Sequence, residues 1–291
     1  MALLELVNGK GDTAASYTLF LFHSIIYFLL AMSDSLFSLI SAVDRADSAT
    51  ALTDAVQALA DACLPGAIPT LVEALNYNNP GAAVAAVDGL VNLGEPAVPG
   101  LLEQLDSNNY TARSWAIRAL AGIGDPRGLV TLLGAATADF SMSVRRAAAR
   151  GLGSMKWYCF PSHLLEVAQA EALESLLFVA RQDEEWVVRY AAVVGLEALA
   201  LALTSQNAPG RAEIEAQFAQ MTAEEASPSV RARVWKAQQQ LQEMTHHRTE
   251  TAGSDYSPLS ATDWEQILEK LYQRKLAERE TLPEGDPRNY R

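Results

Sequence analysis

Apolar residues recur along most of this chain three or four residues apart, the spacing that places them on one face of an α-helix. Five segments with this spacing also align on one another. They are residues 82–95, 112–125, 144–153, 188–199 and 230–241. Recurrence of one segment at intervals of a few tens of residues is the sequence signature of a repeat architecture, so the pattern predicts stacked helical units.

One position of the five segments is almost always arginine. Arg113, Arg145, Arg189 and Arg231 occupy it, and Ala83 occupies it in the first segment. In stacked hairpins such an arginine reaches a turn carboxylate or carbonyl of a neighbouring repeat, and this structural role is expected for Arg113, Arg189 and Arg231. The role of Arg145 stays open, because it also lies in a basic cluster described below.

A second apolar segment precedes most of the aligned segments, at residues 68–75, 98–105, 129–136 and 173–180. Short polar turns separate the two, so each unit is predicted to be a helix, a turn and a helix. Gly94 and Gly124 hold equivalent positions and are predicted to end helices with positive φ. No strand precedes Gly124, which argues against a phosphate-binding loop. The sequence therefore predicts an all-α solenoid of HEAT-like helical hairpins over residues 32–244.

The N-terminus follows a different pattern. Residues 17–32 are nearly all apolar, but 16 residues fall short of the roughly 20 that span a bilayer. Residues 1–16 carry two acids and one lysine, unlike the basic start of a secretory signal. From Met32 the sequence opens as a soluble amphipathic helix. Residues 1–31 are therefore interpreted as an apolar extension upstream of a misassigned start, with a buried helix or a signal peptide as alternatives.

The C-terminus divides into a polar linker at residues 245–260 and an amphipathic helix with a tail at 261–291. Ser260 and Asp263 have the spacing of a capping box, and apolar residues follow at helical spacing. This helix is expected to cap the open end of its own solenoid, because an uncapped terminal repeat exposes its core face. Docking on a partner is the alternative.

The charge of the chain is −13, which disfavours nucleic acid and anionic membranes as partners. Within this acidic protein, residues 113–156 contain seven basic residues against two acids. This cluster is interpreted either as solvated helix faces or as a site for an anionic ligand. Cys63 and Cys159 are too few for a disulfide framework and fit a reducing compartment. The four histidines lack metal-ligand spacing, so no metal site is expected.

Four strings carry a more specific signal. They are NYNNPGAAVAAVDGLVNLG (76–94), NYTARSWAIRALAGIGDPRGL (109–129), DFSMSVRRAAARGLGSMKW (139–157) and EWVVRYAAVVGLEAL (185–199). In these strings the chain resembles the F subunit of the E/F-type phycocyanobilin lyases, a family with HEAT-like repeats. The resemblance extends from about Leu36 to Met244.

The resemblance implies a cytoplasmic heterodimer with an E-type subunit. This enzyme promotes thioether formation between a cysteine of apo-phycocyanin α and the vinyl-type side chain on ring A of the bilin. Phycocyanobilin is then a substrate, and no permanently bound cofactor is expected. A related branch also isomerises the bilin and carries an adjacent His-Cys pair. Here Cys159 lies in WYCFPSH with no histidine beside it, which argues against isomerisation.

A bilin has two propionates and an extended π system, which guanidinium groups and flat aromatic surfaces recognise. The proposed bilin-binding residues are Arg145, Arg146, Arg150, Trp157 and Tyr158. Further aromatic candidates, which alternatively fill the core, are Trp115, Phe140, Trp186 and Tyr190.

No residue is assigned a catalytic role, because the apoprotein supplies the thiolate and the enzyme has only to orient, desolvate and assist proton transfer. Asp125, Asp139 and His163 are candidate proton handlers without a partner at fixed spacing. Two other functions remain open. One is a non-catalytic HEAT-repeat adaptor or chaperone for phycobiliproteins. The other is a membrane-tethered protein, if residues 17–32 insert.

Overall fold

The computed structural model describes residues 34–105, 109–203, 208–245 and 259–281, and in these ranges the regular structure is entirely helical. The apolar extension at 1–31 and most of the predicted linker lie outside the described residues. None of the described helices has the length and hydropathy needed to cross a bilayer.

Thirteen α-helices follow one another through the described ranges. The first, α1, spans residues 34–44. The others are α2 (Ala49–Asp61), α3 (Ile68–Ala74), α4 (Pro80–Leu93), α5 (Val98–Gln104), α6 (Tyr110–Ile123), α7 (Leu129–Ala138), α8 (Met142–Gly153), α9 (Ser162–Gln182), α10 (Trp186–Ala202), α11 (Ala208–Glu224), α12 (Pro228–Thr245) and α13 (Ala261–Thr281).

The helices form two layers of a solenoid, which confirms the predicted fold. Helices α2, α4, α6, α8, α10 and α12 pack side by side in chain order, and each carries one of the aligned segments or precedes them. We call this the arginine layer. The helices α3, α5, α7, α9 and α11 form the opposite layer, and each packs on the helix that follows it. The core lies between the layers and is built largely from alanine, leucine and valine.

Local sequence signals fix where the helices begin and end. Asn79 and Asn109 cap α4 and α6, because each side-chain oxygen accepts a backbone N–H from the first turn. Gly94 and Gly124 end the same two helices with φ of 73° and 67°, a conformation that side chains with a Cβ disfavour. The predicted capping role of both glycines is thereby confirmed, and the phosphate-loop alternative is excluded.

The centre of the arginine layer is its most closely packed part. A Cβ atom added to Gly153 on α8 would overlap the backbone of Gly195 on α10. A Cβ added to Gly195 would in turn meet the carbonyl oxygen of Ala149. The two helices therefore approach to backbone contact, and the glycines are required there by distance rather than by φ.

Helix α13 folds back onto the opposite layer, so the prediction that it caps the open end of the solenoid is wrong. It packs on α7 and on the turn Pro126–Gly128, and its Trp264 ring lies 5.3 Å from Phe160. Arg274 and Lys275 reach Glu171 on α9 at 3.0 and 3.1 Å. Phe160, in the segment between α8 and α9, forms part of this docking surface through its contact with Trp264.

Candidate functional site: the exposed face of the arginine layer

The recurring arginines form an ion-pair ladder between repeats. Arg145 donates Nε and Nη2 to the carboxylate of Asp183 at 2.6 and 3.1 Å. Arg189 contacts Glu225 in the same way at 2.8 and 2.7 Å. In each case Nη1 also donates to two backbone carbonyls of the turn that precedes its own helix. Arg231 makes the two carbonyl contacts. The structural role predicted for Arg189 and Arg231 is confirmed.

The structure gives Arg145 the same structural role. The hydrogen bonds to Asp183 raise the pKa of Arg145, with burial opposing that rise, and four of its N–H groups already have acceptors. A propionate would have to displace Asp183, a carboxylate held at two points. Arg145 therefore has a structural role, and its guanidinium group is not available to bind a ligand.

Among the described residues, Arg113 does not form the ion pair that Arg145 and Arg189 form. Its Nε is buried and has no hydrogen-bond partner in the described part of the chain. The turn carboxylate at the corresponding place, Asp139, instead accepts hydrogen bonds from the Tyr110 hydroxyl at 3.2 Å and from the Ser141 N–H at 2.8 Å. Residues 106–108, which precede α6, lie outside the described residues, so the structural role of Arg113 stays a prediction.

The unpaired cations lie on the exposed face of the arginine layer. Arg146 and Arg150 are solvent-exposed one turn apart on α8, and neither has a side-chain partner among the described residues. Arg118, on the neighbouring helix α6, stacks over the Trp115 ring at 4.5 Å. Burial and then the positive charge of Arg146 lower the pKa of Arg118, while Asp88 on α4 opposes this. Adjacent like charges of this kind favour an anionic ligand.

Repeat geometry explains why these side chains share a face. Arg118 and Arg150 both lie five residues after the recurring arginine of their helices. Tyr190 on α10 holds the position that Arg146 holds on α8, one residue after the recurring arginine, and it is 38% exposed. Since the helices stack side by side, equivalent positions line up across the layer. Arg118 belongs to the basic cluster at 113–156 but was not predicted as a site residue, although its offset of five residues from Arg113 was the available signal.

Trp157 is part of the core, which corrects its assignment to a ligand surface. Its ring is 6% exposed, packs 5.3 Å from Phe160, and donates Nε1–H to the Gly153 carbonyl at 3.2 Å. Tyr158 next to it is 64% exposed, and its role in binding stays a prediction. A short helix Trp157–Cys159 turns the two rings in different directions, one into the core and one to solvent.

The other aromatic candidates fall into two groups. Trp115 is partly buried beneath Arg118. The remaining three are at least one-third exposed: Phe140 at 78%, Trp186 at 47% and Tyr190 at 38%. Phe140 stacks on Tyr110 with ring centroids 4.2 Å apart, near the start of α6. Of these rings, Trp115 is the one that contacts a cation of the exposed face, because Arg118 stacks on it.

Among the candidate residues for covalent or proton-transfer chemistry, Cys159 and Asp125 are buried and His163 is exposed. Cys159 is 4% exposed, and burial followed by the charge of Glu95 raises the pKa of its thiol, so it stays protonated. Asp125 is buried and grips Arg127 at 2.8 Å. His163 lies exposed in the first turn of α9. In the described ranges, no three His, Cys, Asp or Glu side chains are grouped to hold a metal ion.

Comparison with known proteins decides the family. A sequence profile described as HEAT repeats matches residues 98–197. The phycocyanobilin lyase subunit beta of Pseudanabaena tenuis (strain PCC 7409) is 58% identical over 270 residues, covering 89% of this chain and 96% of that protein. This chain belongs to the F-type phycocyanobilin lyase subunits. The resemblance inferred from the four strings is thereby confirmed.

Two further relatives agree. The phycocyanobilin lyase subunit beta of Nostoc sp. (strain PCC 7120 / SAG 25.82 / UTEX 2576) is 48% identical over 205 residues, covering 69% of this chain and 98% of that protein. A solved structure of the complex of CpcE and CpcF of phycocyanin lyase from Nostoc sp. PCC7120 contains a chain with TM-score 0.54 and 48% identity. That match covers 60% of this chain and 98% of that chain. That chain therefore shares the helical solenoid described above.

Proposed function

We propose that this chain is one subunit of a heterodimeric bilin lyase, which attaches phycocyanobilin through a thioether to a cysteine of the phycocyanin α subunit. The observation that carries the proposal is the 58% identity to a phycocyanobilin lyase subunit beta over almost the whole of both chains. A Synechocystis relative named phycocyanin alpha phycocyanobilin lyase CpcF, 54% identical over 162 residues, supports the acceptor. The Nostoc complex of CpcE and CpcF supports an E-type partner.

The bilin is held, in this proposal, on the exposed face of the arginine layer. Arg118, Arg146 and Arg150 bind the propionates, since guanidinium groups match carboxylates in charge and geometry. The Trp115 ring supports the Arg118 guanidinium by stacking beneath it, which positions this cation for a propionate. The ladder pair Arg145–Asp183 fixes α8 beneath the site, so the cations are positioned before the ligand arrives.

The reaction itself is an addition that needs no oxidant. The acceptor cysteine of apo-phycocyanin α forms a C–S bond to one carbon of the ring A side-chain double bond. The thiol proton is balanced by a proton taken up on the other side of that unsaturated system. The residues of this chain orient the bilin and exclude water, and the nucleophile comes from the acceptor protein.

The cytoplasm is the proposed location. Cys63 and Cys159 are both free thiols, one exposed and one buried, which suits a reducing compartment. The extension at 1–31 lies outside the described residues, and a mature N-terminus mapped by mass spectrometry in the native host tests its status. Peptides from residues 1–31 would show that the extension is translated.

Reconstitution separates the lyase from the non-catalytic adaptor. The chain, an E-type subunit and apo-phycocyanin α are mixed with phycocyanobilin, and covalent bilin is scored after denaturation by zinc-induced fluorescence. If the proposed function is correct, the α subunit carries covalently bound bilin only when both lyase subunits are present. Soluble complexes with apo-phycocyanin α that carry no covalent bilin would favour the adaptor or chaperone.

A further inference from the structure

In the described part of the chain, the ladder of ion pairs ends at α12, where one arginine lacks the carboxylate partner that Arg145 and Arg189 have. In Arg145 and Arg189, the Nε–Nη2 edge grips a carboxylate in the turn before the next helix of the arginine layer. Arg231 holds its two turn carbonyls through Nη1, as they do. Its Nε–Nη2 edge has no carboxylate partner among the described residues, because α12 is the last described helix of the layer.

A packing position at the same end is also open. At the position four residues after the aligned arginine position, each earlier helix of the layer buries an apolar side chain. These are Val87 (7% exposed), Ile117 (4%), Ala149 (0%) and Val193 (0%). On α12 this position is Trp235, which is 60% exposed. An exposed tryptophan stands where the architecture otherwise packs the next repeat.

The surroundings of Trp235 are those of an interface rather than of a core. Gln239, one turn further on, is exposed. The equivalent residues of two earlier helices, Ala121 and Gly153, are buried. The α12 end is thus polar around a single large aromatic ring. A tryptophan surrounded by polar residues is the usual composition of a binding hot spot, since the ring supplies most of the energy and the rim stays soluble.

We infer that the α12 end of the solenoid is a docking surface for a helical hairpin of a second chain. The hairpin brings a turn carboxylate onto the open edge of Arg231 and a helix face onto Trp235. The occupant is specified by the ladder itself, because both open positions are completed by one further repeat-like unit. Positive charge at Arg231 and Lys236 favours an acidic turn in that unit.

The second chain is identified through the proposed function, on which this part of the inference rests: it is the E-type subunit. The test is the affinity of the full-length chain for that subunit, measured by isothermal titration calorimetry. Trp235→Ala is expected to raise Kd at least tenfold without changing the thermal unfolding midpoint. Phe37→Ala removes a ring that is 74% exposed at the opposite end of the solenoid, and it should leave Kd unchanged.

A second variant locates the partner's contact. A photoreactive benzoylphenylalanine at position 239 should cross-link to an E-type peptide that contains an acidic turn between two helices. Unchanged affinity in Trp235→Ala, or a cross-link only within this chain, overturns the docking surface while leaving the proposed lyase intact. Concentration-dependent self-association abolished by Trp235→Ala would make a second copy the occupant and overturn the assignment to the E-type subunit. Failure of the unmodified chain both to bind the E-type subunit and to support bilin transfer would contradict the proposed function itself.

Discussion

Arg189 on α10 and Glu225 in the turn before α12 are joined at two points, with Nε and Nη2 lying 2.8 and 2.7 Å from the two carboxylate oxygens. Both side chains are largely buried. Because Nη1 of the same guanidinium also holds the carbonyls of Asp183 and Glu184, one side chain ties its own turn to the next repeat. This contact, repeated by Arg145, sets the register between successive hairpins.

Removal of this tie should lower stability. Arg189→Ala leaves Glu225 buried without its cation, and we expect the free energy of unfolding to fall by about 1.5–3 kcal/mol. Arg146→Ala removes an exposed guanidinium and should change it by no more than about 0.5 kcal/mol. Urea titrations followed by circular dichroism at pH 7 compare the two. Equal stability of both variants would show that the ladder does not hold the repeats together.

The same pair gives the stability a predictable dependence on pH. Hydrogen bonds from Arg189 lower the pKa of Glu225 below its ordinary value of 4.5, with burial opposing the shift. A depressed pKa in the folded state means that the stabilisation is present above the ordinary pKa and is lost as pH falls through the folded value. Glu225→Gln should therefore be less stable than the parent at pH 7 and lose less on acidification. Parallel stability curves from pH 7 to pH 3 would refute this.

Two glycine replacements should act in opposite directions. Gly195→Ala forces α8 and α10 apart, because the new Cβ would meet the Ala149 carbonyl, and overpacking of this kind costs about 1–3 kcal/mol. Gly134→Ala on α7 meets no described atom within 4 Å and removes a flexible residue from a helix, a gain of about 0.5–1 kcal/mol. Thermal unfolding of both variants checks the signs. A destabilised Gly134→Ala or a neutral Gly195→Ala would count against the packing described.

The two thiols should differ in reactivity. Cys63 is exposed in the turn after α2, whereas Cys159 is buried and its pKa is raised by burial and by Glu95. Because the thiolate is the reactive form, iodoacetamide at pH 8 should label Cys63 well before Cys159. Peptide mass spectrometry over a time course measures both sites. Comparable rates would mean that Cys159 is accessible to reagents in solution and would contradict its burial.

Local patterns predicted the hairpins, while contacts distant in sequence were missed. The helix period, Gly94 and Gly124 are signals within single repeats, and the structure follows them. Helix α11 went unpredicted because its buried apolar residues, such as Ile214 and Phe218, are sparse in a polar segment. Helix α9 begins at Ser162, eleven residues before the predicted apolar segment at 173–180.

The position of α13 and the surroundings of Trp157 both involve contacts between residues that are distant in sequence. Arg274 contacts Glu171, which lies 103 residues earlier in the chain, and no repeat period in the sequence predicts that contact. Trp157 packs on Phe160, whose other side is covered by Trp264 of α13. The surroundings of Trp157 therefore include a helix that is remote in sequence, which no local pattern predicts. The cations Arg146 and Arg150 were predictable, because their exposure depends on the helix period alone.

The central claim is that the unpaired cations of the arginine layer hold the bilin. Its most direct test is bilin transfer to apo-phycocyanin α by the reconstituted heterodimer carrying Arg118→Ala together with Arg146→Ala. Each charge-assisted contact to a propionate contributes roughly 1.5–3 kcal/mol, so we expect transfer to fall about tenfold or more at an unchanged unfolding midpoint. The control, Lys270→Ala, removes an exposed cation from α13 and should retain full transfer. Full transfer by the double variant would contradict the account and move the bilin site to the E-type subunit.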